Sequence, residues 1–234
     1  MQTRLILFIL IIVKAGILSP SFGQDKYEKE RANMVKQQIK ARGINDKNTL
    51  NAMKSVERHL FVPAGYKSKA YEDRPLPIGY GQTISQPYIV AYMTELLKVE
   101  PGDTVLEIGT GSGYQAAVLA EIVGQVYTIE IVEELGLSAK ERLKILKYDN
   151  VEVKIADGYY GWEEHGPFDG IVVTAALEYI PPPLIDQLKD GGKMIIPVGS
   201  PFSVQTLMMI TKRGEEITTN SLMLVRFVPF TRKK

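Results

Sequence analysis

The chain has no cysteine in its 234 residues. That excludes disulfides, thiolate nucleophiles, cysteine-held metals and a lipidated N-terminal cysteine. Histidine is nearly as scarce. His59 and His165 stand far apart, without the spacing of metal ligands, so a metal site is not expected. An excess of one charge is lacking too. The 28 Lys and Arg against 27 Asp and Glu leave a net +1, and the basic tail Arg232-Lys233-Lys234 is short. No strong field draws the chain to nucleic acid or to a membrane surface. No internal repeat or low-complexity segment is visible. What is present is ordinary globular material, 45% hydrophobic and 24% charged, enough to bury one substantial core.

The longest apolar run is Leu5 to Val13. Arg4 precedes it and Ser21-Phe22-Gly23 follows it. Residues 1–23 therefore read as a signal peptide-like leader, too short to span a bilayer comfortably as a mature helix. Lys14 closes the run early, so an uncleaved anchor stays open as the alternative. Residues 24–234 are expected to form a single domain. Within it, 24–100 is a helical and loop region and 101–234 a ligand-binding core.

Asp25 to Arg42 is charged and helix-favouring, with Met34, Val35, Gln38 and Ile39 as an apolar stripe and Gly43 as its stop. Asn45 to Lys54 reads as a second helix with Leu50 and Met53 inward. Pro63 to Pro87, rich in Pro, Gly and Tyr, reads as a long loop and is suspected of function on that ground. Tyr88 to Lys98 is a helix by periodicity. From Thr104 onward, short apolar strands alternate with helices. Strands are expected at Thr104–Ile108, Gln125–Ile131, Val151–Ile155, Phe168–Thr174 and Lys193–Val198. Helices are expected at Tyr114–Ile122, Val132–Lys147 and Leu184–Leu188, and closing strands at Val204–Thr211 and Ser221–Phe227. This alternation predicts an α/β fold with a doubly wound, mostly parallel sheet.

The sharpest local signal is Val105-Leu106-Glu107-Ile108-Gly109-Thr110-Gly111-Ser112-Gly113. Glycines at the carboxyl end of the first core strand let backbone approach a ligand closely. The spacing is G-x-G-x-G, with Tyr114 next, whereas a dinucleotide fingerprint is G-x-G-x-x-G/A. Glu107, two residues before Gly109, would repel a diphosphate and suits a cation. S-adenosylmethionine, with a sulfonium and an ammonium, fits better than a dinucleotide. Glu130, 17 residues past Gly113, is placed to accept the ribose hydroxyls, and Asp157-Gly158 to face the adenine. A dinucleotide oxidoreductase remains the alternative on spacing alone.

A second segment, Leu76-Pro77-Ile78-Gly79-Tyr80-Gly81-Gln82-Thr83-Ile84-Ser85-Gln86-Pro87, stands before that loop. With Pro167 to Ala176, Leu188 to Gly192, Ile196 to Gly199 and Val225 to Pro229, it resembles the protein-L-isoaspartate (D-aspartate) O-methyltransferase family from about residue 31 onward. The segment from Gly81 to Pro87 is the specific one. Leu177, where the family has proline, departs from the pattern, and so does the leader. The resemblance implies a Rossmann-like class I methyltransferase sheet of seven strands, with a terminal antiparallel strand and added N-terminal helices. It implies S-adenosylmethionine as methyl donor and, as partners, proteins and peptides carrying L-isoaspartyl residues, extending to D-aspartyl. The product would be the methyl ester of the freed α-carboxylate. Ser85 matches the active-site serine of the family.

Such chemistry does not need a general base. A carboxylate is already an anion near neutral pH, which agrees with the lack of a catalytic cysteine or histidine. Ser85 is therefore expected to orient the carboxylate or the donor, or to cap the helix from Pro87. The cofactor set is Thr83, Glu107, Gly109, Gly111, Gly113, Glu130, Asp157 and Gly158. The substrate set is Ile78, Gly79, Gly81, Gln82 and Arg226. No metal, no nucleic acid and no stable membrane partner beyond a leader anchor are expected, and the chain is taken as a monomer. A non-catalytic binding module and a methyltransferase for another carboxylate are the other readings. The leader points to a periplasmic or secreted protein, and the donor's cytoplasmic origin points inward.

Overall fold

The computed structural model describes residues 22–232. The expected leader lies outside the described residues, apart from Phe22 and Gly23. Among the described residues no helix is long and apolar enough to cross a membrane.

Helix α1 (Phe22–Asn33) continues into a π-helical turn, Met34–Ile39, and a tight turn, Lys40–Arg42. Met34, Val35 and Ile39 are buried, and Gly43, with φ 99°, ends the run where the sequence placed its stop. Helix α2 (Lys47–Ser55) is capped by Asp46, whose carboxylate accepts from the Thr49 amide at 2.7 Å. Leu50 and Met53 point inward as expected.

The stretch from Pro63 to Pro87 is not all loop. It holds a 3-10 turn, Ala64–Lys69, and a hairpin of β1 (Leu76–Gly79) and β2 (Gln82–Ile84). Tyr80 (φ 53°) and Gly81 (φ 72°) make the turn with both residues left-handed, the geometry that suits strand twist. Pro77 hid β1 from pattern reading. A proline is tolerated in so short a two-stranded ribbon, where few ladder donors are needed. Helix α3 (Pro87–Leu97) follows, burying Val90, Met93 and Leu97. Its cap is Gln86, without a side-chain bond, so the capping role considered for Ser85 is not what the structure has.

The remaining elements are β3 (Thr104–Ile108), α4 (Tyr114–Ala120), β4 (Gln125–Glu130), α5 (Glu133–Ile145) and β5 (Val151–Ile155). After them come β6 (Phe168–Val173), α6 (Pro182–Asp186), β7 (Leu188–Val198), β8 (Gln205–Arg213) and β9 (Glu216–Val225). The seven-stranded sheet has the order β5-β4-β3-β6-β7-β8-β9. Strands β3 to β7 are parallel, and the last two pairings, β7 with β8 and β8 with β9, are antiparallel. Leu188, expected to end a helix, instead begins β7 as the partner of Phe168. The preceding Gln187 turns its side chain inward, accepting from the Trp162 amide at 2.7 Å and donating to Tyr160 O at 2.8 Å.

Side chains alternate across the sheet. Val105, Val172 and Ile195 join the core shared with α2, α3 and α4, while Leu106, Ile171, Val173, Met194 and Ile196 join the opposite one. By this alternation Glu107 faces the helical side, in the midst of apolar neighbours. Leu177, where the resembling family has proline, donates its amide to Pro197 O at 3.2 Å. A proline could not make that bond.

Candidate active site

The carboxyl ends of β3, β4 and β6 meet the β1–β2 hairpin, and the site lies between them. β3 stops at Ile108 because the Gly109 and Thr110 amides both turn to Ile129 O, at 2.8 and 3.3 Å. Gly109 takes φ 101°, and a Cβ there would collide with Thr174 Oγ1. That hydroxyl donates to Gly109 O at 2.8 Å and is 3.0 Å from Ile108 O. The loop is thus pinned from two neighbouring strands, with the amides of Gly109, Thr110, Gly111 and Gly113 all bonded within the protein and its backbone forming the floor of the cavity above it.

Glu130, at the end of β4, is nearly buried. Its carboxylate accepts from the Gly111 amide at 2.7 Å and from the Ile131 and Val132 amides at 2.9 Å each. It ties the glycine loop to the neighbouring strand and still lines the cavity. Glu107 is fully buried. One carboxyl oxygen takes the Thr128 hydroxyl at 2.5 Å, and Thr128 is bonded to Thr110 at 2.7 Å. The other oxygen has no partner among the described residues. Burial, helped by the like charge of Glu130, pushes the Glu107 carboxyl up to about 8, and the Thr128 bond opposes this.

Three cavities share Thr83 and Thr174 as common walls. The first runs over the glycine loop between Glu130, Gly158 and Phe230, with Gln82 at its rim. The second lies beneath the loop, lined by Glu107, Thr110, Ser112 and Ser85. The third, about 300 Å³, opens outward between Ser85, Arg42, Leu224 and Arg226. Ser85 lines both the second and the third, and its hydroxyl has no hydrogen-bond partner among the described residues. Neither the first nor the second cavity is lined by a lysine or arginine. A diphosphate would find no counter-charge there, whereas the bare Glu107 oxygen suits an ammonium or sulfonium.

Of the residues expected from sequence, Gln82, Thr83, Ser85, Glu107, Gly109, Gly111, Glu130, Gly158 and Arg226 all line these cavities. Arg226 is exposed and without a partner among the described residues, so it is not held in a salt bridge. Ile78 packs against Gly111 instead, and Gly113 backs onto Leu143 as the α4 cap. Gly79 and Gly81 shape the hairpin turn. Asp157 turns aside, accepting from the Tyr159 amide at 3.0 Å and pairing with Arg232 at 2.6 Å. Trp162 belongs to the second core, and His59 is buried against Tyr71, bonded at 2.8 Å.

Sequence reading gave no site role to Thr174, Arg42 or the segment 228–231, although Thr174, Val228 and Pro229 lie in the motifs that carry the resemblance. That segment lines the first cavity and is stitched to Ala176, with Ala176 donating to Val228 O and Phe230 to Ala176 O, both at 2.9 Å. Arg232 secures its end, with its guanidinium 3.9 Å from the Tyr159 ring centre as well as on Asp157. Among the described residues no cluster of His, Asp and Glu is arranged to hold a metal ion.

A seven-stranded sheet with two antiparallel closing pairings, a glycine loop after its first strand and an acidic residue closing the second define a class I methyltransferase. Comparison with known proteins narrows this. The family model for protein-L-isoaspartate(D-aspartate) O-methyltransferase (PCMT) matches residues 29–234. A protein-L-isoaspartate O-methyltransferase 2 of Syntrophobacter fumaroxidans is 55% identical, over 98% of this chain and 97% of its own. A protein-L-isoaspartate O-methyltransferase of Opitutus terrae is 51% identical over the whole of both chains. One solved protein-L-isoaspartate O-methyltransferase superposes with TM-score 0.79 at 31% identity, covering 85% of this chain and 65% of that one. A Plasmodium falciparum PCMT structure in complex with S-adenosyl-L-homocysteine gives TM-score 0.73 at 29% identity, covering 88% and 99%. The chain belongs to the protein-L-isoaspartate(D-aspartate) O-methyltransferase family.

Proposed function

We propose that this chain methylates the free α-carboxylate of L-isoaspartyl residues in damaged proteins, with S-adenosylmethionine as donor. The observation that carries the reading is the unpartnered Ser85 hydroxyl, set on the wall between an inner, donor-type cavity and an outward-opening one. The donor supplies an electrophilic methyl carbon on a sulfonium. Everything else asked of the protein is positioning and exclusion of water.

Glu130 holds the nucleoside end over the closely approaching backbone of Gly109 and Gly111, with Gly158 and Phe230 as walls. Glu107 offers its free oxygen to the ammonium. Ser85 donates to the acceptor carboxylate and fixes one oxygen on the line of displacement. Arg226 stands at the outer mouth, where the acceptor is an anion, beside Arg42, whose guanidinium is held by Asp73 at 2.9 Å. An oxygen–carbon bond forms as the carbon–sulfur bond breaks, the electron pair leaves on sulfur, and no proton is moved. The ester then closes to a succinimide as the backbone amide nitrogen that follows attacks its carbonyl and methanol leaves with that nitrogen's proton, and hydrolysis by water returns part of the succinimide as normal aspartate. We extend the proposal to D-aspartyl residues as acceptors at the same site.

The test is methyl transfer from labelled S-adenosylmethionine by protein lacking residues 1–23. Matched peptides carry L-isoaspartate, D-aspartate or normal aspartate. Base-labile label on the isoaspartyl peptide and none on the normal one supports the assignment. Equal label on both, or none on either with donor binding intact, refutes it.

A further inference from the structure

Arg58 is fully buried, and its guanidinium is committed to backbone. Nε donates to Ala70 O at 2.8 Å, and Nη2 donates to Ser85 O at 2.7 Å. The guanidinium lies over Tyr114, with Cζ 4.8 Å from the ring centre, and Nη1 has no hydrogen-bond partner among the described residues. Burial pushes the group down to about 10, which leaves it charged at neutral pH. Removing an arginine from water is costly, and no carboxylate among the described residues pairs with it. An apolar side chain of similar volume would fill the space at less cost.

What this position touches is informative. Ser85 ends the segment after the hairpin, and Tyr114 is the first residue of the helix that follows the glycine loop. Ala70 lies in the chain leading to the hairpin. One rigid, planar group therefore spans the acceptor side and the donor side of the site. Lysine, a point charge on a flexible stem, could not grip two carbonyls in one plane.

We propose that Arg58 is the positioning residue for Ser85, fixing its backbone so that the hydroxyl stands in register with the donor loop. This rests on the role given to Ser85 above, and the test separates the two. Ser85→Ala alone probes the serine: undiminished turnover there removes the serine reading, whatever Arg58 does. Given a loss in Ser85→Ala, Arg58→Lys is expected to lower kcat by ~10- to 100-fold through misplacement alone. Affinity for S-adenosylhomocysteine should stay within ~2-fold, because Arg58 lines neither donor cavity. Added to Ser85→Ala, Arg58→Lys should cost nothing further, since coupled residues are not additive.

A second route uses Arg58→Gly with ethylguanidinium supplied in the assay. Turnover should recover in that variant and not in its combination with Ser85→Ala. Full turnover in folded Arg58→Lys overturns the proposal, as does the same fold-loss on top of Ser85→Ala. So does a loss of folded protein that ethylguanidinium fails to reverse, because Arg58 is then a structural residue only.

Discussion

Replacing Glu107 by glutamine tests the electrostatics of the site without ligand. The carboxyl is fully buried and its proton affinity is raised from 4.5 to about 8. The folded state therefore holds a proton that the unfolded state releases above about pH 4.5. Stability conferred by that proton is complete below the unfolded value and is lost as pH rises through the folded one. The full difference is about 5 kcal/mol, an upper limit because the interior relaxes around a buried charge, and about 2 kcal/mol of it falls between pH 6 and 8. Glutamine keeps the shape and does not titrate. Urea unfolding followed by the fluorescence of Trp162, the only tryptophan and a buried one, reads this directly. Wild type should lose stability relative to Glu107→Gln steadily from pH 6 to 8. If the ammonium of S-adenosylhomocysteine binds at the same oxygen, as proposed, saturating amounts of it should shrink that slope in wild type only. A difference between the two proteins that stays flat across the range would refute the assignment of a protonated, buried Glu107.

Ser85→Ala should lower kcat by ~10- to 100-fold with donor affinity within ~2-fold, measured by peptide methylation and calorimetry, and equal turnover would take the serine out of the mechanism. Glu130→Ala removes the acceptor of three backbone amides and should weaken donor binding by ~10-fold or more. An unchanged Kd would show that the carboxylate serves the loop alone. Gly109→Ala forces a side chain into φ 101° and against Thr174 Oγ1, and should cost at least ~2 kcal/mol. A urea midpoint equal to wild type would mean that the loop has room to move.

Much of the fold was legible because a parallel sheet buried on both faces writes itself as apolar runs. Val105-Leu106 and Ile171-Val172-Val173 each feed two cores at once. The glycine loop and Glu130 were legible because backbone approach and a strand-end carboxylate leave short, fixed spacings. The hairpin was hidden by Pro77 and by a turn that only its two positive φ angles reveal. The roles of Arg58 and Thr174 were invisible for another reason. Both act on backbone carbonyls more than 25 residues away, and no periodicity or motif encodes such a partner. Asp157 was legible as an acid after a strand, yet Arg232, distant in the chain, claims its carboxylate.

The stitching of residues 228–231 beside Ala176 bears on how the protein comes into being. Strands, glycine loop and serine are all synthesised before this segment emerges. Until it is made, the first cavity lacks the wall that Val228, Pro229, Phe230 and Thr231 provide. A nascent or prematurely stopped chain can thus hold a nearly complete sheet while that cavity stays open on one side. A tag fused after Lys234 therefore begins two residues from the Arg232 anchor of that wall.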